Sequence, residues 1–155
     1  MGPVSLPALK KIVSRLKKRK KKIVFTNGCF DLLHAGHISL LRKAKRLGDV
    51  LIVGLNTDRS VRNLKGKGRP VVPQKDRALV LSSLQDVDYV VFFSGPTPLG
   101  LIRSLRPDVL VKGADYKDSQ IVGANWVLSK GGKVVRISLV KGKSSTSIFR
   151  KLQQL

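Results

Sequence analysis

Apolar positions along this chain switch repeatedly between helical and strand spacing. Leu6, Leu9, Ile12, Val13 and Leu16 recur at helical intervals, with Lys10, Lys11, Arg15, Lys17 and Lys18 on the remaining faces. That spacing predicts an amphipathic helix at the amino end. Beyond it, Ile23–Thr26, Val50–Leu55, Tyr89–Phe93, Val109–Lys112 and Lys133–Leu139 read as five strands. Between the strands, Ile38–Leu47, a short segment from Asp58 to Leu64, Asp76–Leu84, Pro98–Leu105 and Gln120–Lys130 read as helices. Ser147–Leu152 is a closing helix. Val50–Leu55 is apolar on both faces, as a buried parallel strand requires. Leu40, Leu41, Ala44 and Leu47 give the following inward face to the first internal helix. Asp58 is placed to cap the short helix. Gly48-Asp49 and Gly131-Gly132 are stops, and Lys65 to Pro70 reads as a flexible basic loop.

Strands that alternate with helices build a parallel sheet covered on both faces. The fold class is therefore α/β, a Rossmann-like doubly wound sheet of five parallel strands with an added N-terminal basic helix. The chain divides into that extension, residues 1–21, and one domain, residues 22–155. The amphipathic helix could dock on the domain, lie on a membrane or pair with a partner. Docking is the commonest outcome for such a helix.

Composition narrows the function. At 155 residues with 42% hydrophobic residues, the chain can bury one real core. No apolar run reaches the roughly 18 residues of a membrane span, and no secretory h-region opens the chain. One cysteine, Cys29, allows no internal disulfide and fits a reducing compartment, which points to the cytoplasm. One Cys and two His do not make a common zinc site, so no metal-ligating set is expected from the protein. All nine acidic residues are aspartate. The net charge of +22 attracts polyanions, although a basic proteome or a hot habitat also enriches lysine.

In a doubly wound sheet, ligands sit at the carboxyl ends of the strands. Strand one ends in Thr26-Asn27-Gly28-Cys29-Phe30-Asp31 and leads to both histidines of the chain, His34 and His37, around Gly36. Strand two ends in Asn56-Thr57-Asp58, strand four in Lys112-Gly113-Ala114-Asp115-Tyr116. Strand five precedes Gly142-Lys143-Ser144-Ser145-Thr146-Ser147. A strand, a glycine-bearing turn and a helix start present backbone N–H groups to phosphate. His34 and His37 are spaced to face one anion, and an imidazole N–H there would stabilise charge on a reacting phosphoryl group. Thr26 offers a hydroxyl donor, and Asn27, Gly28, Cys29, Phe30 and Gly36 would line the nucleotide. Gly36 would let it lie against the backbone. Cys29 also reads as a small core residue. Asp31 could orient a histidine, hold Mg²⁺ or cap the turn, with the structural role favoured.

Thr26 to His37, TNGCFDLLHAGH, resembles the signature of the HIGH-motif nucleotidyltransferases, in their cytidylyltransferase-like branch. Leu47-Gly48-Asp49, Leu64-Lys65-Gly66, Arg69-Pro70-Val71, Val87 to Val91, Leu110 to Tyr116 and Ser145 to Ile148 extend the likeness over most of the chain. The stretches Arg69-Pro70-Val71 and Val111 to Tyr116 make it most similar to heptose 1-phosphate adenylyltransferases, which also occur joined to a kinase.

The resemblance implies the nucleotidyltransferase fold and transfer of AMP from Mg²⁺-bound ATP to D-glycero-β-D-manno-heptose 1-phosphate, with pyrophosphate leaving. ADP-heptose so made would serve lipopolysaccharide core synthesis. Magnesium would ride on the phosphates. By the same resemblance Lys65 acts beside His34 and His37 in catalysis, and Lys67, Arg69 and Arg77 contact phosphate. Arg77 also reads as a plain surface charge on its helix. Lys112, Gly113 and Asp115 would read the nucleoside, and Ser144, Ser145 and Thr146 would bind triphosphate at a helix start. Gly123 and Trp126 could shape the nucleoside end, with Trp126 as core the stronger reading. The partners implied are ATP, a sugar 1-phosphate, a second copy of the chain or more, and a separate heptose kinase. Two readings compete with this one. The first is a CTP-dependent glycerol-3-phosphate cytidylyltransferase. The second is a nucleic-acid-binding protein on the same scaffold, which sparse aromatics (5%) argue against, so no nucleic-acid partner is expected.

Overall fold

The computed structural model describes residues 2–114, 120–138, 144–152 and 154. Asp115, Tyr116, Gly142 and Lys143 lie outside the described residues, as does Leu139 at the end of the fifth expected strand. The elements run α1 (Leu6–Lys18), β1 (Ile23–Gly28), α2 (Ala35–Lys45), β2 (Val50–Asn56), α3 (Asp58–Lys65), α4 (Gln74–Ser82) and β3 (Tyr89–Phe93). Then follow α5 (Leu99–Leu105), β4 (Val109–Gly113), α6 (Ala124–Ser129), β5 (Lys133–Ile137) and α7 (Ser145–Leu152).

The five strands form one parallel sheet in the order β3-β2-β1-β4-β5. The expected α/β class is the observed one. β1 pairs with β2 along its length and with β4 over Val24 to Thr26. The chain winds outward from β1 to β3, then crosses back to β4 and winds the other way. The carboxyl ends of β1 and β4 therefore flank the reversal point, where the helices on either side diverge and leave a crevice.

Each sheet face has its own core. Leu9 and Val13 of α1 pack with Phe25, Ile52, Leu101, Ile102 and Val127 on one face. Leu41 and Ala44 of α2 and Ala78 and Leu81 of α4 pack with Val24, Val53 and Val111 on the other. The apolar stripe of α1 thus lies on the sheet. Leu9 is 0% exposed, Leu6 and Leu16 pack against the same cluster, and the N–H of Val4 donates to the carbonyl of Val90 at 2.8 Å.

Several boundaries differ from the periodicity for local reasons. α2 starts at Ala35, three residues before Ile38, because His34 caps it. The hydroxyl of Thr57, not the carboxylate of Asp58, caps α3 by accepting the N–H of Ser60 at 3.4 Å. The helix expected from Gln120 starts only at Ala124, because Gly123 precedes it with φ 86°. A side chain at Gly123 would also meet Ile102 at 2.7 Å. No described helix is long and apolar enough to cross a membrane.

Candidate active site

The first turn of α2 is built around its two histidines. His34 is the N-cap, in extended backbone, and its Nδ1 accepts the N–H of Gly36 at 3.1 Å. The N–H of His34 in turn donates to Nδ1 of His37 at 3.3 Å. Two donors that a helix start leaves unpaired are thereby satisfied by imidazoles instead of the usual hydroxyl and carboxylate. An Nδ1 that accepts a backbone N–H carries no proton, so each neutral ring holds its proton on Nε2. The ring centroids are 4.0 Å apart, and Phe30 stands 5.3 Å from His37. Burial, with a smaller contribution from neighbouring His34, pushes the His37 imidazole down to about 4. His37 is therefore a neutral Nε2–H donor at pH 7, not the cation that charge stabilisation alone would suggest.

The loop leading to this cap is held in an unusual shape. Phe30 and Leu32 have φ of 46° and 53°, a region that side chains disfavour. Asp31 between them is 1% exposed and acts as the brace. Its carboxylate accepts from Arg69 Nε at 2.6 Å and from the N–H groups of Val71 and Val72 at 2.9 and 3.0 Å. Burial alone would raise the Asp31 pKa; the N–H groups of Val72 and Val71 and the Arg69 guanidinium outweigh it and hold the carboxyl below its ordinary value. Among the readings of Asp31, the structural one is the arrangement seen.

A cleft of about 500 Å³ opens at the reversal point. Thr26, Asn27, Gly28, Cys29 and Phe30 from β1 and its turn form its floor, and His34, Gly36 and His37 form one wall. Lys112 and Gly113 enter from β4, Ser144, Ser145 and Thr146 from the start of α7, and Lys65 and Arg69 from beyond β2. These residues, scattered through the chain, are brought together by the parallel topology. Lys65 is exposed at the end of α3 and its charge lowers the Cys29 thiol pKa, although burial of that thiol dominates and raises it. Cys29 is thus half-buried on the cleft floor instead of in the core.

The remaining candidates carry contacts of their own or sit apart from the cleft. The Thr26 hydroxyl donates to the carbonyl of Val111 at 3.1 Å, so it staples β1 to β4 and is not a spare donor. Ser144 Oγ caps α7 by accepting the N–H of Ser147 at 3.0 Å. Lys67 is exposed but off the cleft wall. Arg69 reaches the wall, but its Nε belongs to Asp31 and its guanidinium lies 5.1 Å over the ring of Phe149. Arg77 is neither a surface charge nor on the wall. It is 2% exposed and donates to the carbonyls of Cys29, Val72 and Asn56 and to Asp58. Trp126 lies half-buried against the core and faces a second cavity near Lys17 and Arg106, away from the cleft.

Asn56, singled out at the end of strand two, lies on the wall, whereas sequence reasoning passed over Phe93, Pro96 and Pro98. Phe93 ends β3 and the two prolines follow it, so the rule that singled out the ends of the other strands would have found them. Among the described residues no cluster of three potential metal ligands exists. Asp31, the carboxylate on the wall, is fully engaged.

A doubly wound parallel sheet with this crevice and imidazole-capped helix defines a Rossmann-like nucleotide-binding domain. The chain belongs to the cytidylyltransferase-like family, whose profile matches residues 25–150, and it is a nucleotidyltransferase. It is 55% identical over 143 residues to the bifunctional protein HldE of Gluconobacter oxydans, covering 92% of this chain and 30% of that protein. The bifunctional protein HldE of Campylobacter concisus is 55% identical over 150 residues, with 96% and 30% covered. The chain therefore spans about 30% of the length of these curated relatives. Among solved structures it resembles a lipopolysaccharide core biosynthesis protein of Thermoplasma volcanium (TM-score 0.65, 27% identity, 79% of this chain and 99% of that one). It shares its fold with pantoate-beta-alanine ligase of Francisella tularensis (TM-score 0.62, 20% identity, 99% and 78% covered).

Proposed function

We propose that this chain is an adenylyltransferase that moves AMP from ATP to D-glycero-β-D-manno-heptose 1-phosphate. A phosphate oxygen of the acceptor attacks the α-phosphorus, the bond from that phosphorus to the α,β-bridging oxygen breaks, and ADP-heptose and pyrophosphate result. The carrying observation is the histidine cap at the crevice. Its Nδ1 atoms are committed to the backbone, which fixes the Nε2–H groups as oriented donors. Donors that need no reorientation as charge develops lower the barrier more than mobile ones. Lys65 and Lys112, on opposite sides of the crevice, add positive charge for the triphosphate, and the remaining work is alignment. Magnesium bound to the ATP phosphates would neutralise part of their charge.

The heptose acceptor is supported by the stretches Arg69-Pro70-Val71 and Val111 to Tyr116, by the HldE relatives and by the lipopolysaccharide core biosynthesis protein among the structural neighbours. A heptose kinase supplying the sugar 1-phosphate, a second copy of the chain and a cytoplasmic setting belong to the same reading. The test is pyrophosphate release by purified protein with ATP or CTP and with heptose 1-phosphate or glycerol 3-phosphate. Turnover with ATP and heptose 1-phosphate is expected. Turnover only with CTP and glycerol 3-phosphate would replace this reading with the cytidylyltransferase one.

A further inference from the structure

In a parallel sheet, every strand begins at the same pole, and every helix that feeds a strand ends there. In this chain that pole, opposite the cleft, gathers cations. The α1–β1 connection brings Arg19, Lys20, Lys21 and Lys22, the α2–β2 connection Arg46, and the last turns of α1 and α2 bring Lys18 and Lys43. Arg106, Lys130 and Lys133 enter beside β4 and β5. Four aspartates share this pole, and each is already engaged. Asp49, Asp88 and Asp108 accept the N–H groups of Lys22, Leu51 and Ile23, each at 2.7 Å, and each has one lysine beside it. Asp86 lies 3.6 Å from Arg42. Among the described residues, Lys18, Arg19, Lys20, Lys22, Lys43 and Arg46 make no ion pair.

Helix ends attract cations through their dipoles, which accounts for part of the pattern. It does not account for all of it. α4 ends at the same pole with no basic residue in its last turn and is closed by the Ser83 hydroxyl on the carbonyl of Leu79 at 2.9 Å. Lys20, Lys21 and Lys22 lie beyond the end of α1.

We propose that this pole is a docking surface for an anionic lipid bilayer, adsorbed electrostatically with the cleft facing away. The charges are spread over several connections around one end of the sheet, which fits a planar array of headgroups. Nucleic acid also takes Lys and Arg charge, but along a groove or track, with helix N-termini or stacking rings added. Here the helices present their C-termini, and the nearest described rings, Tyr89 and Trp126, are half-buried against the core. The apolar stripe of α1 lies on the sheet, so the helix contributes charge without inserting.

The test measures co-sedimentation of the full chain with vesicles of neutral lipid alone and with added phosphatidylglycerol, across salt. Binding only to the anionic vesicles, weakening with salt, is expected. Lys18→Gln, Lys22→Gln and Lys43→Gln together should weaken it on the order of 100-fold with pyrophosphate release unchanged. Arg59→Gln, Arg62→Gln and Lys75→Gln remove the same charge from exposed positions outside this pole and should leave most of the binding. Equal losses from both triple variants would overturn the proposal, because net charge would then suffice. So would tighter, salt-resistant binding to duplex DNA than to the anionic vesicles.

Discussion

The backbone N–H of His34 donates to Nδ1 of His37 at 3.3 Å, so the second histidine helps close the helix start that the first one caps. One pair of side chains therefore holds the turn with their δ nitrogens and keeps the proton of each neutral ring on the other nitrogen. Structure and chemistry reside on different atoms of the same ring, which makes them separable by substitution.

His37→Asn retains an acceptor near the Nδ1 position and deletes the Nε2–H. Turnover should fall by at least ~100-fold, the scale of a lost transition-state donor. Thermal stability should stay near that of the parent. His37→Gln places its amide nearer the ε position and gives up the cap, so it should lose more stability and retain more turnover than His37→Asn. Steady-state pyrophosphate release and thermal melting separate the two.

The lowered pKa of His37 also has a signature in folding. Between its ordinary value of 6.5 and its folded value of about 4, the unfolded chain takes up a proton that the folded chain resists. Stability should therefore fall as pH drops through that window and be unaffected by this group above it. His37→Asn should flatten that part of a melting-temperature profile. An unchanged slope would mean that His37 titrates normally in the folded protein.

Asp31 tests the brace behind the loop. Asp31→Asn leaves the buried Arg69 guanidinium without its counter-charge and should cost about 3 kcal/mol, read by urea unfolding. Because its folded pKa lies below 3.8, the contribution is complete above that value. It is lost as pH falls further, through the folded pKa. The variant should thus be less stable at neutral pH and lose less than the parent on acidification.

Leu9→Ala tests whether α1 belongs to the core. Leu9 is 0% exposed beneath a helix that sequence reading treats as an extension. A cavity there should cost about 2–4 kcal/mol in urea unfolding. A loss under about 0.5 kcal/mol would mean that α1 detaches without consequence.

The sheet was legible in the sequence because strands buried on both faces read as unbroken apolar runs, as Val50 to Leu55 does. The cleft was legible because parallel topology sends every strand end to one place, so local motifs could be pooled without coordinates. The first turn of α2 was not, since Gly36 and His37 are poor helix formers and the cap is a histidine. The burial of Arg69 and Arg77 was not legible either. A sequence shows their charge, whereas their burial depends on which carbonyls and carboxylates the fold brings around them.

Arg77 is where that difference is most easily measured. Its guanidinium joins the β1 turn at Cys29, the end of β2 at Asn56, the loop at Val72 and the start of α3 at Asp58. Four groups of the cleft-bearing segments thus share one planar donor. A lysine offers a compact charge on a different stem and cannot span them. Arg77→Lys and Arg77→Met should each lose at least about 3 kcal/mol of stability, because the methionine leaves all four acceptors, and the lysine several of them, without a donor. Activity should decline with the folded fraction, and the KM for ATP of the folded remainder should change little. A phosphate-binding arginine behaves oppositely, with stability kept and KM for ATP raised severalfold. Urea unfolding and initial rates on the same preparations distinguish the two, and the second pattern in Arg77→Lys would return Arg77 to the triphosphate.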